Sequence, residues 1–176
     1  TFYDRELLNL AAKESGFCEK LFEQNDERSG FFKSRFHMHV PLFGENDYYR
    51  NNFSQESLYQ FQSDAIRKAA EGGSCVFVGR TADYILRDKK NLLSIFISAS
   101  MDDRIKAVCK RKDISRAEAR KLINDGESNR ASYYNFYTGK EWGHSSSYDI
   151  CVNSSILGLE QTEQFLANFI RKRFGL

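Results

Sequence analysis

The stretch from Ser74 to Ser100 constrains the fold more than any other part of the chain. Cys75-Val76-Phe77-Val78 is a short apolar run rich in β-branched and aromatic residues, and Gly79-Arg80 stops it. Thr81 to Arg87 can form a short helix, and Leu92 to Ile97 reads as a second buried strand. Two strands that are apolar on both faces and joined by a helical crossover predict a βαβ unit in a parallel sheet. Ligands of such sheets bind beyond the carboxyl ends of the strands. Gly79 and Arg80 occupy that end, and a small residue followed by a guanidinium suits an anionic ligand.

The flanking segments extend the alternation. Thr1-Phe2-Tyr3 reads as the end of a strand, so the chain is expected to begin inside a domain. Asp4 is placed to cap a helix with Leu7, Leu8, Ala11 and Ala12 on its apolar face, and a short helix is expected from Glu19 to Asn25. Residues 26–53 are the least regular and hold the only proline, Pro41, with many aromatics, which suits a lid, an acceptor-side segment or a partner surface. Ser54 to Glu71 predicts a helix with Leu58, Phe61, Ala65, Ile66 and Ala69 as its buried stripe and Gly72-Gly73 as its stop.

Ser100 and Asp103 stand at capping-box spacing before a helix whose core face is Ile105, Val108 and Cys109. Ser115 and Glu118 open another, with Ala119, Leu122 and Ile123 as its stripe. Residues 125–143 are polar and aromatic, helical at first, then broken by Gly139 and Gly143. Tyr148 to Val152 predicts a last strand, Asn153-Ser154-Ser155 a turn, and Gly158 to Phe174 a final helix with Leu159, Thr162, Leu166, Phe169 and Ile170 facing the core. Arg171-Lys172-Arg173 complement the negative end of that helix. Strands alternating with helices predict a doubly wound α/β fold.

Composition narrows the function. With 176 residues the chain can bury one real core, and a net charge of +2 gives no sign of bulk nucleic-acid or membrane-surface binding. No apolar run nears the roughly 18 residues that span a bilayer. Cys18, Cys75, Cys109 and Cys151 are scattered without a CxxC pair and read as reduced core thiols of a cytoplasmic protein. His37-Met38-His39 lacks the carboxylates or thiols that would make it a metal site.

The cations point to phosphate. Arg80 lies at a strand's carboxyl end, Arg104 and Arg111 stand two helical turns apart, and Arg130 and Lys140 lie in a segment able to close. Phosphoryl transfer asks a protein for positioning and for positive charge around the transferring group. The sequence contains no G-x-x-x-x-G-K-[ST] loop, no G-x-G-x-x-G and no nucleophile elbow.

FYDRELL (2–8), SCVFVGRTADYIL (74–86), IFISASMDDRI (95–105), NRASYYNFYTGKEWG (129–143) and YDICVNSSILG (148–158) together resemble the bacterial cytidylate kinase-like proteins, a branch of the P-loop nucleoside monophosphate kinases. The resemblance implies a three-layer α/β/α P-loop kinase-like fold with a mostly parallel sheet. Its central P-loop strand is missing from this sequence, so the other four strands would flank a gap. Roughly 20 to 30 further residues, the size of a strand–loop–helix unit, are expected upstream of Thr1. Residues 1–176 would then be a single nucleotide-kinase-like domain, with 112–145 as a lid-like segment.

The resemblance also implies roles. ATP with Mg²⁺ would be the donor, bound by the upstream P-loop, and a nucleoside monophosphate the acceptor. Asp4, Gly79, Arg80 and Asp83 would bind substrate, and Asp4 would reach Mg²⁺ through water. Arg104, Arg111 and Arg130 would stabilise the transferring group. Cytidylate kinases carry Gly-Arg-Asp where this chain has Gly79-Arg80-Thr81, and a Ser and an Arg where it has Arg5 and Leu10. Two alternatives stay open: a non-catalytic nucleotide-binding or interaction protein that retains the fold, and a kinase of another small-molecule acceptor. A homodimer is compatible with the reading, and neither a nucleic acid nor a membrane is expected as a partner.

Overall fold

A computed structural model describes residues 1–4 and 55–176. Two compact units divide the chain at Asp88 and Lys89. The helices expected after Asp4, the irregular segment 26–53, the His37/His39 pair, Cys18, Arg5 and Leu10 lie outside the described residues.

In the first unit, β1 (Phe2–Tyr3) pairs in parallel with β2 (Val76–Phe77), Phe2 opposite Val76 and Tyr3 opposite Phe77. Val76 N–H donates to Thr1 O at 2.8 Å and Val78 N–H to Tyr3 O at 3.0 Å, so the ladder runs past both strand ends. The rings of Tyr3 and Phe77 stack with centroids 5.1 Å apart. Between these strands comes α1 (Gln55–Glu71), which ends at Gly72 and Gly73 as expected. Ala65 and Ile66 are buried and Phe61 and Ala69 half-buried, which follows the expected stripe, while the surroundings of Leu58 lie outside the described residues. The short α2 (Ala82–Ile85) packs on α1 and contributes buried Ala82 and Ile85.

The strand β2 departs from the expected burial. It is not covered on both faces, since Val76 is 60% and Val78 49% exposed. An apolar run reports a strand's affinity for an interior, and says nothing of which strand it pairs with.

In the second unit, β3 (Ile95–Ser98) pairs in parallel with β4 (Ile150–Asn153), Ile95 opposite Ile150. The Asp149 carboxylate clamps the start of this ladder, accepting from Ser94 N–H at 2.7 Å and Ser94 Oγ at 2.8 Å. Ile97 is 56% exposed, so β3 too departs from the buried strand expected. A parallel pair needs a long crossover, and here α3 (Met101–Lys112) and α4 (Arg116–Thr138) supply it. Ser100 caps α3 by accepting from Asp103 N–H. Ser115 and Glu118 close a full capping box on α4.

Ile105, Val108, Ala119 and Ile123 form the core between these two helices. Leu122, expected beside Ala119, is instead 44% exposed, because one residue turns a helix by 100° and Ile123 takes the inward position. Helix α4 runs unbroken through Asp125-Gly126 for 23 residues and stops only at Gly139, whose φ of 68° makes the left-handed cap.

The expected turn after β4 is a short helix, α5 (Ser154–Leu157), capped by the Asn153 side chain. It leads into α6 (Leu159–Phe174), where Thr162 is buried and Leu166, Phe169 and Ile170 are half-buried. Leu159 is 82% exposed and does not face the core. Cys151 is exposed on β4, contrary to a core thiol, while Cys75 and Cys109 are half-buried, and all three are free. The result is an α/β chain with parallel pairing throughout the described strands. None of its described helices is long and apolar enough to cross a membrane.

Candidate functional site: a cleft at the carboxyl ends of β1 and β2

The chain leaves β2 through three consecutive left-handed residues, Gly79 (φ 71°), Arg80 (φ 58°) and Thr81 (φ 54°). Glycine adopts this conformation freely, but an arginine and a β-branched threonine do so at a cost of about 1–2 kcal/mol each. The surroundings hold them there. Thr81 Oγ1 donates to the Arg80 carbonyl at 2.6 Å, and Gln62 Nε2 donates to the same oxygen at 3.1 Å from α1. Tyr59 Oη lies 3.4 Å from Thr81 Oγ1. The Ala82 N–H returns to Gly79 O, and the Tyr84 and Ile85 N–H groups to Thr81 O, which starts α2 directly on the turn.

This turn forms one side of a small surface cleft. Asp4, Gly79 and Arg80 line it together with apolar Tyr3, Ile66 and Phe77. Three residues singled out in the sequence, 75 positions apart, thus meet beyond the carboxyl ends of two parallel strands. Asp83 lies half-buried on α2 and does not line the cleft. One exposed carboxylate and one half-buried guanidinium flank it.

The second unit carries the other predicted cations. Arg104 leaves α3 to form an ion pair with Glu127 of α4, both side chains about one-third exposed. The Arg104 Nε is buried without a hydrogen-bond partner. Arg111 is exposed in the last turn of α3 among Lys110 and Lys112, where cations offset the helix dipole. The two arginines of α3 therefore occupy different environments despite their spacing.

Arg130 lies over the Trp142 ring at 5.7 Å and against the backbone of Gly126 one turn earlier. Trp142 meets Phe96 of β3 edge-on at 5.2 Å, and Phe96 also packs on Tyr148 at 5.0 Å. Gly143 (φ 77°) passes so close that a Cβ would sit 3.2 Å from the Phe96 ring. The C-terminal part of the segment expected as a lid is thus tied to β3 by rings. Lys140 is exposed, with its N–H on Thr138 Oγ1 at 3.0 Å.

At the carboxyl ends of β3 and β4, Ser100 N–H donates to Ser155 Oγ at 2.8 Å and Ser154 Oγ to Ser98 O at 2.9 Å. Hydrogen bonds from Ser155 and then Ser100 hold the Asp103 carboxyl below its usual range. This knot joins α3 to the end of the strand pair.

The profile of the cytidylate kinase-like family matches residues 1–156. The chain belongs to the cytidylate kinase-like family. A crystal structure of an uncharacterized protein from Eubacterium ventriosum ATCC 27560 is similar to it, with 26% identity, a TM-score of 0.68, and coverage of 97% of this chain and 83% of that one. No curated protein matches.

Against the Gly-Arg-Asp of cytidylate kinases, the Thr81 of this family member is 3% exposed and turned inward on the Arg80 carbonyl. Its hydroxyl serves the turn. Two residues of these arrangements were missed in the sequence. Glu127 is 23 positions from Arg104, and nothing local announces the pair. Gln62 did leave a signal, for it stands midway between Leu58 and Ile66 on the apolar stripe of α1, where a polar side chain needs a partner.

Proposed function

We propose that this member of the cytidylate kinase-like family transfers a phosphoryl group from ATP to a nucleoside monophosphate, with the acceptor phosphate seated in the Arg80 cleft. The observation that carries the reading is the convergence of Asp4, Gly79 and Arg80 on one small surface cleft beyond two parallel strand ends. In the transfer, an acceptor phosphate oxygen forms a bond to the γ-phosphorus, and the bond from that phosphorus to the β–γ bridging oxygen breaks. Arg80 would hold the acceptor phosphate and offset its charge, so that two anions can approach.

Magnesium commonly keeps several waters and takes one or two carboxylates beside substrate phosphates. Asp4, exposed at the rim of the cleft, fits that demand, and no described group of three His, Cys, Asp or Glu offers a dedicated metal cage. The ion would supply charge neutralisation on the donor phosphates. A donor-phosphate loop is not among the 176 residues, so the roles assigned here concern the acceptor side. Arg130 and Arg111 are the exposed candidates for the transferring group. Arg104 would need to leave Glu127 first.

That pairing favours the second reading, a nucleotide-binding protein without turnover. The test is an acceptor panel of nucleoside 5′-monophosphates and non-nucleotide phosphate esters, given to the native protein with ATP and Mg²⁺. Turnover of one nucleoside monophosphate supports the proposal. Binding without turnover selects the second reading, and turnover of a non-nucleotide acceptor alone replaces the substrate.

A further inference from the structure

We infer that Gln62 is a positioning residue for Arg80, setting the direction of its guanidinium from behind the peptide that follows it. The inference rests on the reading of Arg80 as the seat of an acceptor phosphate. Gln62 is 3% exposed, on the same side of α1 as Ala65 and Ile66. An apolar residue would be the cheaper occupant, because a buried amide costs free energy unless it is hydrogen-bonded. Its Nε2 goes to the Arg80 carbonyl at 3.1 Å, across 18 residues of sequence.

Thr81, also 3% exposed, sends its hydroxyl to the same oxygen at 2.6 Å. Two buried donors therefore converge on one carbonyl, and that carbonyl belongs to the cleft's cation. It sits within three consecutive left-handed residues, a run that L-residues other than glycine rarely adopt. Rotation of the Arg80–Thr81 peptide toward an ordinary conformation would redirect the Arg80 Cα–Cβ bond relative to the cleft. Gln62 and Thr81 hold the strained conformation and so hold the anion seat in register with Asp4. Such strain is characteristically retained at ligand sites.

The experiment titrates inorganic phosphate and cytidine 5′-monophosphate into native protein, Gln62→Met, Arg80→Ala and the double variant. Methionine keeps the volume of Gln62 and removes the donor. Gln62→Met is expected to weaken both probes by about fivefold or more, the scale of one lost hydrogen bond. The same change made in Arg80→Ala protein is expected to add nothing. Thr81→Val should resemble Gln62→Met, and Thr81→Ser, which keeps the hydroxyl, should bind like the parent.

Unchanged binding by Gln62→Met overturns the inference, as does an equal loss with and without Arg80. A parent protein that binds neither probe overturns it too. Where Gln62→Met does not fold, the Thr81→Val and Thr81→Ser pair reads the same carbonyl. The two readings fail separately. Phosphate binding that depends on both Arg80 and Gln62 without turnover of any acceptor removes the kinase and keeps the positioning role. Turnover sensitive to Arg80 but not to Gln62 does the reverse.

Discussion

Arg80 carries the most specific expectation at the scale of single residues. A charge-assisted contact is worth about 1.5–3 kcal/mol, so Arg80→Ala is expected to weaken acceptor binding by more than about tenfold. The variant should still fold, because the hydrogen bonds of Gln62 and Thr81 to the Arg80 carbonyl are backbone contacts that alanine keeps. Calorimetric titration beside thermal unfolding separates the two effects. Glu127 tests a different bond. Its pair with Arg104 is about one-third exposed, so Glu127→Gln should cost only about 1 kcal/mol in denaturant unfolding. A loss of several kcal/mol would mean that the Arg104 charge is far less solvated than the structure shows.

The pH dependence follows from the α4 cap. Hydrogen bonds from the Ser115 hydroxyl and backbone N–H lower the Glu118 pKa from its ordinary 4.5. A carboxyl lowered in the folded state contributes stability that is fully present above the unfolded pKa and is lost as pH falls through the folded one. Unfolding midpoints measured downward from pH 5 should therefore drop less steeply in Ser115→Ala than in the parent. The variant should also lose about 1 kcal/mol near neutrality, as N-cap truncations do.

Elements were legible where their signals are local. The Ser115–Glu118 box, the Ser100 cap and the Gly72-Gly73 and Gly139 stops were all readable, because each is a contact between near neighbours. Pairing partners were not, since Phe2 meets Val76 across 74 positions. Helix α4 passes through Gly126, where the Arg130 guanidinium lies on the bare backbone.

Gly126→Ala therefore has two expected outcomes in one variant. Helix propensity should raise stability by up to about 1 kcal/mol. The added Cβ, 3.4 Å from Arg130 Nη1, stands at ordinary van der Waals distance, so the guanidinium should stay in place and turnover should be parental. A variant less stable than the parent would contradict the packing around Gly126. Gly143→Ala should be the opposite case, with a φ of 77° and a Cβ 3.2 Å from the Phe96 ring, costing about 1–3 kcal/mol.

For the whole molecule, family and fold class came from blocks spread along the chain, such as SYYNFYTGKEWG and YDICVNSSILG. The structure gives those blocks physical content. Tyr134, Trp142 and Tyr148 are the rings that join α4 and the loop after it to β3, and Asn153 caps α5 while Ser155 ties it to Ser100. Their residues are therefore set by packing as much as by chemistry, and the substrate is not written in them. The place of Gly79-Arg80 at the carboxyl end of a strand was legible because the apolar run stops at the glycine, whereas Asp4 was singled out through the family resemblance. The Gln62 support was harder to read, because its partner is a backbone carbonyl in a different element.

The most direct test of the acceptor cleft compares a nucleoside 5′-monophosphate with its parent nucleoside, titrated into native protein and into Arg80→Ala. The monophosphate should bind the native protein more than about tenfold more tightly than the nucleoside. In Arg80→Ala that preference should collapse, while nucleoside affinity stays unchanged. A phosphate preference that survives the loss of Arg80 would contradict the account and move the acceptor phosphate elsewhere in the protein.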